Sequence, residues 1–192
     1  MLSVNYENRL GLYKTPYIEY PQHPTEIEIE GFRANAYISP EEVNKYTIEF
    51  SKHVSFEWFD FVLVNMNGGR SFAEDLARLQ HYSKKIYKIE YHPNGDMPIR
   101  IPSAYQDAKI AVIDDVLDTG LTSELIRKDA PFAAMLYLVR KRTPGQIVVH
   151  NSACAIEVDD KWLFGRGMNG NIKDDGYPEN WGRTYRGIGV KI

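Results

Sequence analysis

Four apolar segments of strand length lie within residues 59–140 of the 192-residue chain. In order they read FDFVLVNM, IYKIEY, KIAVIDDV and AAMLYLVR, and the helical patterns SFAEDLARLQHY and TSELIRK follow the first and the third of them. Buried strands that alternate with amphipathic helices are typical of a parallel sheet covered on both faces. The pattern therefore predicts an α/β fold, a parallel twisted sheet flanked by helices, whose ligands bind where the strands end.

The two ends of the chain differ from this middle part. Residues 1–38 are rich in Tyr, Pro and Glu, and TEIEIEGFRANAYI alternates apolar with polar residues, which predicts an exposed strand pair with a turn near Gly31. Ser39, followed by Pro40 and two glutamates, is typical of a helix start, and we expect that helix to run to about His53. No repeat or linker divides the chain, so we predict one domain over residues 1–192.

Composition and charge exclude several classes of protein. The 23 Lys and Arg residues against 26 Asp and Glu residues give a net charge of -3, which disfavours nucleic acid as a partner. The single cysteine, Cys154, cannot form an intrachain disulfide, and no Cys/His cluster has the spacing of a zinc site. No signal peptide and no apolar stretch of membrane-spanning length is visible. We expect a soluble, cytoplasmic protein with no membrane partner.

An acidic loop follows the third apolar segment, in the stretch AVIDDVLDTGLTS. Asp114 and Asp115 end the segment, and a third acid and three hydroxyl groups then surround a glycine: Asp118, Thr119, Gly120, Thr122 and Ser123. A glycine and the amides of a following helix favour a phosphate group, whereas carboxylates suit sugar hydroxyls or a divalent cation. A sugar phosphate satisfies both requirements. The alternative is that the loop caps a helix and the acids are a solvated strand end.

A second loop, NGGRS, follows the first apolar segment. Its two glycines would free the amides of Gly69 and Arg70 to face an anion, and the Arg70 side chain would add a positive charge. A tight turn between a strand and a helix would use the same glycine pair.

The acidic stretch resembles the signature of the type I phosphoribosyltransferases that binds 5-phosphoribosyl diphosphate (PRPP). The resemblance implies the fold of that family, with a core over about residues 40–145 and a small hood built from the chain ends, about 1–38 and 146–192. It implies that Asp114 and Asp115 bind the ribose hydroxyls. It assigns the 5-phosphate to Asp118, Thr119, Gly120, Leu121 and Thr122.

The same resemblance implies a pyrophosphate site and Mg²⁺ as cofactor. The pyrophosphate residues would be Asn67, Gly68, Gly69, Arg70 and, near the end of the chain, Arg186. The metal positions would be Asp114, Asp115 and Asn169. Asn67 replaces a common lysine of the hypoxanthine-guanine branch, and Asn169 replaces an aspartate, which makes it a weaker metal ligand. Compared with the family pattern, residues 170–183 are an insertion before Arg186. One interpretation is that Asp174 or Asp175 in this insertion replaces the lost carboxylate, and the other is that the insertion is a solvated loop.

The carboxyl-terminal third is similar to the purine-salvage branch of the family in LVRKRTP and in EVDDKWLFGRGMN. By this similarity Lys141 donates to the 6-oxo group of a purine, Trp162 stacks on the base, and the Leu163 backbone meets its exocyclic edge. Lys141 could equally be solvated or pair with Asp159, and a tryptophan in a strand is often only part of the core.

Together these features predict a purine phosphoribosyltransferase, which transfers the phosphoribosyl group of PRPP to a 6-oxopurine (hypoxanthine, guanine or xanthine) and releases pyrophosphate. Asp118 is the candidate general base, and the stretch from His92 to Gln106 is where the family has its mobile lid. The rival hypothesis is a regulator that senses PRPP without transferring it. Members of the family usually form dimers or tetramers, so we expect a homodimer or a homotetramer.

Overall fold

A computed structural model describes residues 10–29, 32–65, 68–91, 101–105, 107–166, 168 and 185–191. Within these ranges the strands are β1 Tyr17–Ile18, β2 Thr25–Ile29, β3 Phe32–Ile38, β4 Phe61–Asn65, β5 Ile86–Ile89, β6 Ile110–Leu117, β7 Ala134–Lys141, β8 Ser152–Val158, β9 Leu163–Phe164 and β10 Ile188–Lys191. The α-helices are α1 Pro40–His53, α2 Arg70–Leu79 and α3 Leu121–Asp129.

Six strands form one parallel sheet in the order β1-β8-β7-β6-β4-β5. Neighbouring residues of β6 point to opposite faces of this sheet: Ile113 packs in the core that contains Phe50 of α1 and Phe72 of α2, whereas Val112 packs with Ile126 of α3. Helices therefore cover both faces. The predicted α/β fold, a parallel sheet flanked by helices, is confirmed.

Both ends of the chain contribute to a second, antiparallel sheet in the order β2-β3-β10-β9. The pairing of β2 with β3 confirms the predicted strand pair, but β3 is not exposed as expected, because Ala34, Tyr37 and Ile38 are buried. The predicted turn at Gly31 lies outside the described residues. Two strands that lie within the ranges assigned to the hood, β1 and β8, belong instead to the large sheet, where β8 pairs with β7. The sequence analysis did not identify β8, although its apolar residues Ala153, Ala155 and Ile156 are buried in the main core.

The predicted helix start at Ser39 is present as a capping box. The Ser39 hydroxyl accepts from the Glu42 backbone N–H at 3.2 Å, and the Glu42 carboxylate accepts from the Ser39 N–H at 3.0 Å. Helix α1 then ends at His53, as expected. No helix in the described part of the chain combines the length and the apolar character needed to cross a bilayer.

Candidate functional site

The glycine turn and the acidic loop meet at one edge of the large sheet, because β4 and β6 are adjacent parallel strands. A β-carbon at Gly68 would overlap the Asp115 carboxylate. A β-carbon at Gly69 would lie 2.5 Å from the Ile113 carbonyl oxygen and 2.8 Å from the Asp114 Cα. Close approach to the acid pair, rather than an unusual φ, is therefore what demands glycine at both positions.

Two details of the glycine turn differ from the sequence-based expectation. The Gly69 N–H donates to the Asn65 carbonyl oxygen at 3.0 Å, so this amide does not face an anion. The Arg70 Nε donates to Glu74 at 2.7 Å on the exposed surface of α2, so its charge is directed along the helix. Both groups follow ordinary helix geometry, which a glycine pair alone does not reveal. Asn67 lies outside the described residues.

The acid pair lies within β6, which continues to Leu117, and not at the end of a strand as the sequence predicted. Burial desolvates both carboxyl groups. Asp114 is 5% exposed; its Oδ2 accepts from the Asn65 Nδ2 at 3.0 Å, and its Oδ1 accepts from the Asp115 N–H at 3.0 Å. Burial raises the pKa of Asp114 well above its usual value, and the charge of Asp115 raises it further. Burial also raises the pKa of Asp115. Among the described residues no cation pairs with either carboxyl group, so hydroxyl donors or a bound cation would stabilise the ionised pair.

The loop between β6 and α3 has the backbone geometry of an anion site. Gly120 adopts a left-handed φ of 90° and occupies the N-cap position of α3, where it supplies no capping side chain. The Thr119 hydroxyl accepts from the Leu121 N–H at 3.4 Å, a long capping contact, whereas no described group bonds to the N–H of Thr122 or Ser123, and these two amides are open to an anion. The Thr119 carbonyl oxygen accepts from the Ile147 N–H at 2.9 Å, and the Gln146 Nε2 donates to the Leu117 carbonyl oxygen at 3.1 Å. Contacts from the segment after β7 thus hold the loop.

Lys141, at the end of β7, joins this loop to the expected base site. Its side chain is 10% exposed, and its Nζ lies 2.7 Å from the Asp118 Oδ2 and 3.4 Å from the Asp160 Oδ1. The Thr143 hydroxyl donates to the other Asp118 oxygen at 2.8 Å. The alternative partner, Asp159, is engaged elsewhere and accepts from the Tyr20 N–H at 2.8 Å. Lys141 is therefore neither solvated nor paired with Asp159.

The remaining predicted residues lie in or beside the small sheet. Trp162 is partly buried, precedes β9 rather than lying in a strand, and has its ring 6.5 Å from that of Phe164. Leu163 is buried, and its register partner is Val190 of β10. Arg186 is exposed, and no described residue makes a polar contact with its side chain, so its predicted role in binding pyrophosphate stays a prediction. Asn169, Asp174 and Asp175 lie outside the described residues, as do residues 92–100 of the expected lid.

Similarity to known proteins is found in the structure and not in the sequence. No protein-family model matches the sequence, and no curated protein matches it. A solved structure described as a hypoxanthine-guanine-xanthine phosphoribosyltransferase matches with a TM-score of 0.64 at 16% identity, and the match covers 82% of this chain and 96% of that chain. The fold is that of a type I phosphoribosyltransferase. At this identity the similarity establishes the fold and leaves the reaction to be argued from the site.

Sequence reasoning missed two buried or partly buried amides that organise the site. Asn65 contacts Asp114 and the Tyr91 backbone, and Gln146 donates to backbone carbonyls on both β6 and β7. A signal for Asn65 was present, since an asparagine in the otherwise apolar segment FVLVN is a polar residue at a position predicted to be buried. No comparable signal marks Gln146, because it lies in a loop.

Proposed function

We propose that this chain is a purine phosphoribosyltransferase, which transfers the 5-phosphoribosyl group of PRPP to a 6-oxopurine base and releases pyrophosphate. The observation that carries the proposal is the contact between the glycine turn and the acid pair, since a β-carbon at Gly68 would overlap the Asp115 carboxylate. The two carboxyl groups, which suit a vicinal diol, thus lie against the glycine turn and precede the N-terminus of α3, whose first-turn amides suit a phosphate. PRPP has its ribose diol between the monophosphate on C5 and the diphosphate on C1, which matches such a site.

The pairing of Lys141 with Asp118 supports a 6-oxopurine as the acceptor. A 6-oxopurine presents its oxo group and ring N7 side by side on one edge. A donor and an acceptor 2.7 Å apart match that edge when the oxo group accepts from Lys141 and an N7–H donates to Asp118. A 6-amino group would instead turn its own donors toward the Lys141 ammonium, so we expect adenine to be a poor substrate.

The acid pair also fits Mg²⁺. Carboxylate oxygens are the protein ligands that this ion prefers, and it usually takes one or two of them together with water and substrate phosphates. Asp114 and Asp115 are such a pair, and in the described part of the chain no cluster of three acidic, His or Cys side chains forms a complete metal cage. When bound with PRPP, the ion neutralises charge on the pyrophosphate leaving group. Asn169, the other predicted ligand, lies outside the described residues.

In the proposed reaction the ring nitrogen N9 forms a bond to C1 of the ribose while the bond from C1 to the pyrophosphate oxygen breaks. The N7 proton passes to a carboxylate oxygen of Asp118, which acts as the general base. Asp118 is well placed for this because its orientation is fixed: the Thr143 hydroxyl donates to its Oδ1 at 2.8 Å, and the Lys141 Nζ donates to its Oδ2 at 2.7 Å. The rest of the catalytic effect comes from positioning and electrostatics, since pyrophosphate is a good leaving group once its charge is neutralised.

The test is a pyrophosphate-release assay on the purified chain with PRPP and Mg²⁺, in which hypoxanthine, guanine, xanthine and adenine are offered separately. We expect release with at least one 6-oxopurine, little release with adenine and none without Mg²⁺. PRPP binding without release for any base would favour the sensing regulator instead. Sedimentation of the same sample tests the expectation of a homodimer or a homotetramer.

A further inference from the structure

Asn65 lies at a junction of three parts of the candidate site. It is the last residue of β4 and is 2% exposed. Its Nδ2 donates to the Asp114 Oδ2 at 3.0 Å and to the Tyr91 carbonyl oxygen at 3.3 Å, and its Oδ1 accepts from the Tyr91 N–H at 3.0 Å. Its backbone carbonyl oxygen accepts from the Gly69 N–H at 3.0 Å. One residue therefore contacts the acid pair, the glycine turn and the segment that follows β5.

These bonds leave the Asp114 carboxylate little freedom to rotate. The Asn65 amide holds the Oδ2, and the Asp115 N–H holds the Oδ1 at 3.0 Å. The amide itself is fixed, because both of its ends bond to the Tyr91 backbone. A buried side chain that is tied at both ends transmits its own orientation to the group it contacts.

The chemistry of an asparagine suits this position. The acid pair is desolvated, and an uncharged donor stabilises the carboxylate without competing for it as a lysine or an arginine would. An aspartate would add a third acceptor beside Asp114, and a leucine would remove the bonds that Asn65 supplies to the Asp114 Oδ2 and to the Tyr91 N–H.

We propose that Asn65 is a positioning residue: its buried side-chain amide fixes the Asp114 carboxylate in the orientation that accepts the vicinal hydroxyls of the ribose. Its backbone carbonyl group, which accepts from the Gly69 N–H, holds the glycine turn against the acid pair. The inference rests on the proposed function and adds to it a residue that acts through Asp114 rather than by touching the substrate. Its effect must fall on PRPP rather than on the purine, whose expected contacts are at Lys141.

The experiment compares four variants, Asn65→Leu, Asn65→Asp, Asp114→Ala and Asn65→Leu combined with Asp114→Ala. Steady-state kinetics give the KM for PRPP and for hypoxanthine, and calorimetry gives the affinity for PRPP with Mg²⁺. We expect Asn65→Leu to raise the KM for PRPP about tenfold while the KM for hypoxanthine stays within about twofold. In the Asp114→Ala background the same substitution should change PRPP affinity less than about threefold, because no carboxylate remains to be positioned.

Asn65→Asp keeps the size of the side chain and an acceptor for the Tyr91 N–H. If Asn65→Leu does not fold, Asn65→Asp is compared with the native protein in its place. It should weaken PRPP binding at least as much. The matched control is Thr47→Val, which removes a buried hydroxyl bonded only within α1 and should leave both KM values unchanged.

Three results would overturn the role of Asn65: an unchanged KM for PRPP, equal increases in both KM values, or the same effect of Asn65→Leu with and without Asp114. Equal increases would indicate a structural role alone. A native protein that binds no PRPP would instead refute the proposed function, and the role of Asn65 with it; that failure is seen in the native sample before any variant is compared.

Discussion

In the proposed function, the choice of acceptor depends on the pair Asp118 and Lys141. The Lys141 ammonium is nearly buried at the end of β7, and a buried cation requires a charged or hydrogen-bonded partner. Asp118 and Asp160 both supply one, at 2.7 and 3.4 Å. The two acids differ in their contacts, because only Asp118 also lies in the expected phosphate loop, so substitutions can separate their roles.

Substitution of the candidate general base gives the first prediction. Asp118→Asn keeps the shape of the side chain but cannot take up the purine proton, so we expect kcat to fall about a hundredfold while the affinity for PRPP changes less than about threefold. Asp160→Asn is the matched control, since it removes the other acid near Lys141 and should leave kcat within about threefold. Equal kcat values for native protein and Asp118→Asn would remove Asp118 from the mechanism.

Lys141 gives the second prediction at this scale. Lys141→Met keeps most of the length of the side chain and loses the donor to the 6-oxo group, so the KM for hypoxanthine should rise about tenfold with little change in the KM for PRPP. Lys161→Met, which alters a lysine near the Tyr20 ring, serves as the control. Steady-state kinetics with each substrate varied in turn measure both effects. An unchanged KM for hypoxanthine would show that Lys141 does not contact the base.

Among the structural elements, the turn between β4 and α2 has little room for side chains. Its glycines approach β6 so closely that side chains at these positions would collide with the acid pair or with the β6 backbone. The turn is therefore held against the acid pair of β6 by packing.

Gly68→Ala tests this element. The added methyl group would displace the Asp115 carboxylate, so we expect PRPP affinity to fall at least about tenfold. Gly145→Ala is the contrasting control: Gly145 has a left-handed φ of 75° and open space around its β-carbon, so alanine strains the backbone without entering the site. Calorimetry with PRPP and thermal denaturation should show lost binding for the first variant and lost stability for the second. Native PRPP affinity in Gly68→Ala would contradict the packing argument.

A second element-level feature ties the start of the chain to the large sheet. The Asp159 carboxylate, just after β8, accepts from the Tyr17 hydroxyl at 2.5 Å and from the Tyr20 N–H at 2.8 Å. The Tyr17 hydroxyl and then the Tyr20 N–H hold the pKa of Asp159 below its usual value. The unfolded chain thus binds the proton more tightly, and the stabilisation is present above about pH 4 and lost as the pH falls through the lower pKa of the folded state.

Asp159→Asn should therefore lower the Tm by about 3 °C near pH 7, and the difference from native protein should shrink below about pH 4. Asp107→Asn, at an exposed acid, is the control and should leave the Tm unchanged. Thermal unfolding followed by circular dichroism across this pH range measures the difference. A difference that stays constant with pH would mean that the charge of Asp159 plays no part.

At the scale of the whole molecule, local sequence patterns predicted the strands and helices, whereas contacts between residues far apart in the sequence determine the geometry of the candidate site. The alternation of apolar segments with helices predicted the large sheet because each segment carries its own periodicity. Asn65 and Gln146 were not predicted, since their partners Tyr91 and Leu117 are 26 and 29 residues away. Strand β8 was missed for a related reason, because its pairing with β7 is what identifies it. The candidate site residues were predicted from short stretches, such as DDVLDTG and LVRKRTP, and their roles stay predictions.

The central claim is that the acidic loop and the glycine turn together bind PRPP, and isothermal calorimetry of the native chain with PRPP and Mg²⁺ tests it most directly. The account predicts one PRPP per chain, much weaker binding of ribose 5-phosphate because it lacks the diphosphate, and loss of binding in Asp115→Asn. No heat with PRPP and Mg²⁺, from a sample that shows a native unfolding transition, would contradict it.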